Sequence, residues 1–230
     1  MSKRINKIFS DISKNYDFMN HFFSLNIDKD WRNQAVIKAM TLLEKTEAPK
    51  ILDVATGTGD LTIQLSKKLL NKNFKIIAID FNKEMLTLGK EKAKKLNIKN
   101  VSFELKDALK TNFSDNFFDL SISGFALRNL DNLDVFAKEQ KRILKKNAYF
   151  LYLDMAMPDK IYQRLFFKIY SGLIKFIGFF IDYEAYSWLS DSIKNFDKKN
   201  LIRILKQNNF RDVNYIELKT GIAYIVYGKK

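Results

Sequence analysis

Ile51-Leu52-Asp53-Val54-Ala55-Thr56-Gly57-Thr58-Gly59-Asp60-Leu61-Thr62 is the stretch that decides the fold of this 230-residue chain. Four mostly apolar residues lead into a turn with two glycines one residue apart. An acid and a helix-like run follow. The stretch reads as a buried strand, a tight turn and a helix N-terminus, in which glycine lets a ligand approach bare backbone. A second apolar run, Phe74-Lys75-Ile76-Ile77-Ala78-Ile79-Asp80, comes next and also ends in an acid. An acid at the end of the second strand is placed to bind the two hydroxyls of a ribose. The pair implies a nucleoside-containing cofactor.

The glycine pattern separates two candidates. A dinucleotide fingerprint needs a third glycine for close helix–strand packing, and Thr62 holds that place. Asp53 ends the first strand, where a carboxylate would repel a pyrophosphate. The same carboxylate suits a ligand with an amino group and a sulfonium. The reading therefore favours S-adenosylmethionine (SAM) over NAD(P). Asp53, Gly57, Gly59, Thr62 and Asp80 are the first cofactor-binding candidates.

Outward from this corner, strands and helices alternate. Strands are expected at 50–55, 74–80, 100–105, 117–123 and 148–154, and helices at 60–70, 82–96 and 132–145. A helix over 28–46, with Asp28 as N-cap, precedes them. Pro49 stops it. Alternation at this spacing argues for a parallel sheet with helices on both faces. After Pro158 comes a long aromatic helical segment to about 195, then a helix near 197–208. Strands at 213–218 and 222–227, joined through Thr220-Gly221, make an antiparallel hairpin. This is an α/β class I methyltransferase pattern, Rossmann-like, with strand order 3-2-1-4-5-7-6. The chain reads as one domain: an N-terminal arm or lid over 1–46, a SAM-binding core over 50–154, a helical substrate or membrane insertion over 155–196, and a helix and hairpin over 197–230. Ligands of such sheets sit at the carboxyl ends of the strands. That adds Asp107, Ala108 and Gly124 to the cofactor candidates, with Asp107 able to accept from an adenine amino group.

Ser121-Ile122-Ser123-Gly124-Phe125-Ala126-Leu127-Arg128-Asn129-Leu130-Asp131 resembles the F-G-L-R-N motif of the UbiE/MenG quinone C-methyltransferases. Tyr16-Asp17-Phe18-Met19-Asn20 is similar to that family's Y-D-x-M-N, and Trp31-Arg32 follows at the expected distance. Ala55 to Thr62 resembles A-G-G-T-G-D-L-T. Tyr186-Ser187-Trp188-Leu189 with Ser192-Ile193 resembles Y-x-Y-L-x-x-S-I, and Thr220-Gly221-Ile222-Ala223 the terminal T-x-G-I. The likeness covers nearly the whole chain. It departs at Thr56, which replaces a glycine, at Gly124, where the family often has serine, and at Lys145-Lys146-Asn147-Ala148, which replaces K-P-G-G. Asn147 can still adopt the left-handed conformation.

The resemblance implies a SAM-dependent C-methyltransferase acting on demethylmenaquinol or a ubiquinone precursor. A sulfonium methyl is attacked in line by a ring carbon, which becomes nucleophilic when the adjacent hydroxyl loses its proton. Arg128 and Asn129 are implied beside the ring, to stabilise the oxyanion or orient a water. A structural ion pair of Arg128 with Asp131 or Asp134 is the alternative. Asp154, at the end of the fifth strand, is a further catalytic candidate. Tyr16, Asp17, Asn20 and Tyr186 are implied on the substrate side. His21 is the only histidine, and a base role for it is disfavoured because the family commonly has aspartate there. One histidine and no cysteine give no metal-ligand cluster.

Composition bounds the partners. Net charge is +14, but the lysines are dispersed and no arginine-rich arm or finger motif is present, so nucleic acid is not expected. An RNA methyltransferase lacks its N-P-P-Y-type signature here, and a non-catalytic SAM-binding protein would have no use for the Arg128-Asn129 pair. No apolar run of signal-peptide or spanning type occurs. Absence of cysteine is compatible with a reducing cytoplasm. The apolar stretch 165–181, with Phe166, Phe176 and Phe180, reads as a membrane-interface helix, a channel for an isoprenoid tail, or a face buried in the core or a homodimer. The expectation is a cytoplasmic enzyme, with peripheral contact at the inner face of the cell membrane.

Overall fold

The structure, a computed structural model, describes residues 10, 24, 26–70, 73–179 and 183–230. The strands are β1 (Lys50–Val54), β2 (Lys75–Asp80), β3 (Val101–Leu105), β4 (Phe118–Gly124), β5 (Leu144–Met155), β6 (Arg211–Glu217) and β7 (Ala223–Lys229). They form one sheet in the order β3-β2-β1-β4-β5-β7-β6. The first five run parallel, and β7 is antiparallel to both β5 and β6. Fold class and strand order are those expected. The order reverses between β1 and β4, which makes their carboxyl ends the topological switch point.

Alternation along each strand builds two cores. Leu52, Val54, Ile77 and Ile79 join Phe150 and Tyr152 on one face. Helices α4 (Leu133–Ile143) and α7 (Lys198–Gln207) cover that face with Phe136, Leu201 and Leu205. Ile51, Ile76, Leu120, Ile122 and Leu153 point the other way, against Trp31 and Ala35 of α1 (Ile27–Leu42) and Leu65 of α2 (Asp60–Lys68). Helix α3 (Lys83–Lys95) packs Leu86 and Ala93 on Ala78 and Phe103. Strands with both faces covered are apolar throughout. A polar residue buried at a strand end therefore stands out, and Asp53, Asp80 and Asp154 all do.

The structure differs from the sequence reading in three places. Asp28 is not the N-cap of α1; Asn26 is, in the left-handed conformation (φ 63°). Asp28 lies inside the first turn, buried, where it binds Arg32 and accepts from Ser24 (2.5 Å). The turn expected at 145–148 is instead part of a long β5, whose pairing with β4 shifts register between Phe118 and Leu120. Asn147 there has φ 64°, as its residue type allowed. The helical segment after Pro158 is two helices, α5 (Ile161–Phe179) and α6 (Tyr183–Asn195). Phe167, Ile193 and Ile222 pack them onto the start of β7.

Candidate active site

The turn after β1 is held open by backbone geometry. Ala55, Gly57 and Gly59 all have positive φ (53°, 57° and 80°), and Thr56 N–H donates to the Ile79 carbonyl at 2.9 Å. A Cβ on Gly59 would lie 3.0 Å from the Phe103 ring at a φ that side chains rarely adopt, so a substitution there is strained. A Cβ on Gly57 would meet nothing within 4 Å. Its backbone faces open space, as ligand approach requires.

Two buried acids flank this turn. Asp53 is fully buried. Its Oδ2 accepts from Thr56 Oγ1 (2.7 Å) and Thr62 Oγ1 (2.5 Å), while Oδ1 has no partner. Asp80 Oδ2 accepts from Gly57 N–H (2.8 Å) and Oδ1 from Asn82 N–H (2.9 Å), so this side chain also staples the glycine turn to β2. Burial pushes each carboxyl up to about 6, against the lowering effect of these hydrogen bonds; for Asp53 the charge of Asp80 adds to the rise. Asn129 Oδ1 is a further buried acceptor without a partner. Asp53, Asp80 and Asn129 line one cleft at the switch point. Unmatched buried acceptors are costly, and a cationic ligand with N–H donors supplies what they lack.

Arg32 of α1 enters the same cleft. Nη1 donates to Asp28, Nη2 lies 3.8 Å from Asp60, and the guanidinium sits 5.0 Å from the centroid of the Phe125 ring. Lys92 of α3 holds Asp60 from the other side (2.8 Å) and donates to Thr58 Oγ1 (2.9 Å). The sequence reading noted Trp31-Arg32 as a family likeness and gave Arg32 no role. The available signal was a permanent cation on a helix face otherwise buried.

The second half of the site lies at the end of β5. Leu127–Asn129 form one turn of 3-10 helix. Arg128 pairs with Asp154 rather than with Asp131 or Asp134. Its Nη1 donates to Asp154 Oδ1 (2.5 Å) and to the Phe125 carbonyl (2.7 Å), and its Nε to Ser192 Oγ of α6 (3.3 Å). Asp154 also accepts from the Arg128 N–H (3.2 Å) and its own neighbour Met155 N–H (2.8 Å). The Arg128 side chain is 4 % exposed and that of Asp154 0 %. Tyr224 is paired across from Asp154 on β7, and its buried hydroxyl has no partner. Burial and the charge of Asp154 push that phenol well above its usual value. Phe125, non-glycine with φ 61°, touches both arginines, Arg32 with its ring and Arg128 with its carbonyl. Backbone strain of this kind clusters at functional sites.

The remaining candidates divide. Gly124 lines the cleft, and a Cβ there would come within 3.3 Å of Leu61. Thr62 is buried behind Asp53 and serves it as a hydrogen-bond donor. Thr56, a departure from the family pattern, does the same. Asp107 is exposed, its Oδ1 accepts from Leu109 N–H (2.9 Å), and neither it nor the buried Ala108 lines the cleft in this conformation. Tyr186 lies on α6, where only its backbone is described. Tyr16, Asp17, Asn20 and His21 fall outside the described residues, as do Phe180 and the side chain of Phe176. Among the described residues no cluster of metal-ligating side chains occurs.

The ubiE/COQ5 methyltransferase family profile matches residues 1–230. Demethylmenaquinone methyltransferase of Bacteroides fragilis is 32% identical over 234 aligned positions, covering 100% of this chain and 93% of that protein. The ubiquinone/menaquinone biosynthesis C-methyltransferase UbiE of Rickettsia prowazekii is 34% identical, covering 96% and 90%. Among solved structures, a SAM-dependent methyltransferase from Aquifex aeolicus is similar with a TM-score of 0.62 at 24% identity, over 84% of this chain and 88% of that one. One from Methanococcus maripaludis gives 0.62 at 20%, over 93% and 90%. At those identities the likeness is one of fold.

Proposed function

The chain belongs to the ubiE/COQ5 methyltransferase family, and from that premise we propose that it moves the methyl of SAM onto a ring carbon of demethylmenaquinol, giving menaquinol. The carrying observation is the cleft at the switch point, where Asp53 and Asn129 keep buried acceptors unmatched beside the Arg128–Asp154 pair. SAM fits the cofactor half: Asp53 Oδ1 takes its ammonium, Asp80 its ribose hydroxyls, and Gly57 lets its chain lie against backbone. When bound it supplies an electrophilic methyl on a sulfonium.

The chain's own residues then do three things. Arg128 donates to the quinol hydroxyl that ionises, favouring the oxyanion that makes the adjacent ring carbon nucleophilic. Asn129 fixes the ring's orientation. Asp154 holds Arg128 in place. Its oxygens already accept from three N–H groups, so it is a positioning residue. The hydroxyl proton passes to water before methyl transfer, the ring proton passes to water after it, and the product oxyanion takes one proton back, so one proton is released overall. In this reading Tyr16, Asp17 and Asn20 serve the ring from the segment before α1, and Tyr186 borders the tail. The test is purified protein with labelled SAM and reduced demethylmenaquinone, with product mass read out. Absence of the methylated quinol would overturn the reading.

A finer proposal concerns the meeting with a lipid-soluble substrate. No helix among the described residues is long and apolar enough to cross a membrane. Yet Tyr162, Leu165, Phe166 and Ile169 of α5, spaced i, i+3, i+4 and i+7, are 63, 60, 62 and 68% exposed, while Phe167 is 4% exposed against the body. The helix turns an apolar stripe outward, flanked by exposed Arg164 and Lys168. That pattern suits the headgroup region of an anionic bilayer. Flotation with anionic phospholipid vesicles should carry the protein at low salt and release it at high salt. Leu165→Ser with Phe166→Ser should abolish flotation and spare turnover of a short-tailed quinol. A homodimer seated on the same stripe would instead show as a concentration-dependent mass without vesicle binding.

A further inference from the structure

We infer that Arg32 is the anchor for the carboxylate of the cofactor's amino-acid end, and that it makes the protein discriminate between cofactors with and without that carboxylate. The inference rests on the SAM reading and adds a residue to it. The argument begins with charge. Three carboxylates line the cleft, Asp53, Asp60 and Asp80, and Arg32 is the only lysine or arginine lining it among the described residues. An α-carboxylate entering among three acids is repelled unless it lands on a cation. Arg32 is permanently charged, its side chain is 7% exposed, and its fork can hold a carboxylate through two parallel N–H donors.

The guanidinium is held yet not used up. It donates one hydrogen bond, from Nη1 to Asp28, and rests on the Phe125 ring. The Nη2 contact to Asp60 is 3.8 Å, too long for a hydrogen bond. Lys92 draws Asp60 toward α3 with a 2.8 Å ion pair. Asp60 is thus held mainly by Lys92, and a ligand carboxylate replaces its loose contact at Arg32 Nη2. The ligand's ammonium reaches the unmatched Asp53 Oδ1 in the same cleft, so its two charged groups each find an opposite charge.

The experiment compares SAM with decarboxylated SAM by titration calorimetry on wild-type protein and on Arg32→Gln, with no turnover required. Wild type should favour SAM by about 30-fold, and Arg32→Gln should reduce that preference to about threefold or less by weakening SAM alone. Arg32→Lys should keep part of the preference. Because Arg32→Gln removes the guanidinium from the buried Asp28, the Asp28→Asn, Arg32→Gln double variant is measured too, with its melting temperature. It should fold and show the same lost preference. A wild-type preference near one, or equal weakening of both ligands in the folded double variant, would overturn the assignment while leaving SAM binding intact. Failure of wild type to bind SAM would overturn it together with the cofactor reading.

Discussion

Strands β1 and β5 end alike and are finished oppositely. Each closes on an aspartate with no exposure, Asp53 and Asp154, at the carboxyl edge of the same sheet. Asp154 receives Arg128 and two backbone N–H groups, so its charge is matched within the protein. Asp53 receives two threonine hydroxyls on one oxygen and no cation, and its carboxyl is pushed up to about 6. In the proposed reading, the half of the site meant for a cationic ligand withholds a cation from its acid, and the half meant for a neutral phenol brings its own. A buried charge left unmatched is a statement about what will bind.

The largest effect expected from disturbing this contrast is at β5. Arg128→Ala should destabilise the protein by about 3–5 kcal/mol, because Asp154 stays buried without its partner. Turnover should vanish too. Replacing both members, Arg128→Met with Asp154→Leu, should recover most of the stability and none of the turnover. A double variant with near-normal rate would remove the pair from catalysis.

At β1 the signs should reverse. Asp53→Asn should weaken SAM binding by roughly 3 kcal/mol and raise the melting temperature of the ligand-free protein, since a desolvated charge is gone. Weaker binding with a lowered melting temperature would mean that Asp53 is structural, like Asp154. Asp80→Ala should cost about 2 kcal/mol of SAM affinity, part of it through the freed Gly57 and Asn82 N–H groups. Unchanged calorimetry would take Asp80 out of the ribose site.

The smallest effect is in pH. Asp53 and Asp80 titrate near 6 in the folded chain and near 3.8 when unfolded. Protonation thus favours the fold. That contribution is complete below 3.8 and lost as pH rises through about 6. A cationic ligand needs the ionised acids, so SAM affinity should climb between about pH 5 and 7 and level off, by up to about tenfold for each acid. The melting-temperature difference between wild type and Asp53→Asn cancels carboxyls held low elsewhere, such as Glu139 beside Arg142. A flat difference across that range would mean that Asp53 is already an ordinary acid.

The β1 half was legible because its parts are neighbours in sequence. Asp53, Thr56, Gly57 and Thr62 fall within ten residues, and Asp80 closes the next strand. Alternation and the terminal hairpin matched the class I methyltransferase pattern, and that pattern carries the strand order. The β5 half joins Arg128, Asp154, Ser192 and Tyr224 from four separate elements. Resemblance named Arg128 and Asp154 but could not pair them, and the nearer acids Asp131 and Asp134 drew the ion-pair alternative. Arg32 was missed for a related reason. Asp28 is one helical turn away on α1, but Asp60 and Phe125 come from the start of α2 and the loop after β4, which no periodicity links to Arg32. Asp28 looked like a cap because acids favour helix starts, yet its carboxylate is turned to Arg32.

Helix α5 sets its apolar stripe away from the body. A protein tethered by that stripe would look for quinol by sliding in a plane rather than through bulk water. Its rate would then follow the number of quinols per unit of lipid area. Adding empty vesicles at constant total quinol would slow it by surface dilution, with no change at either strand end.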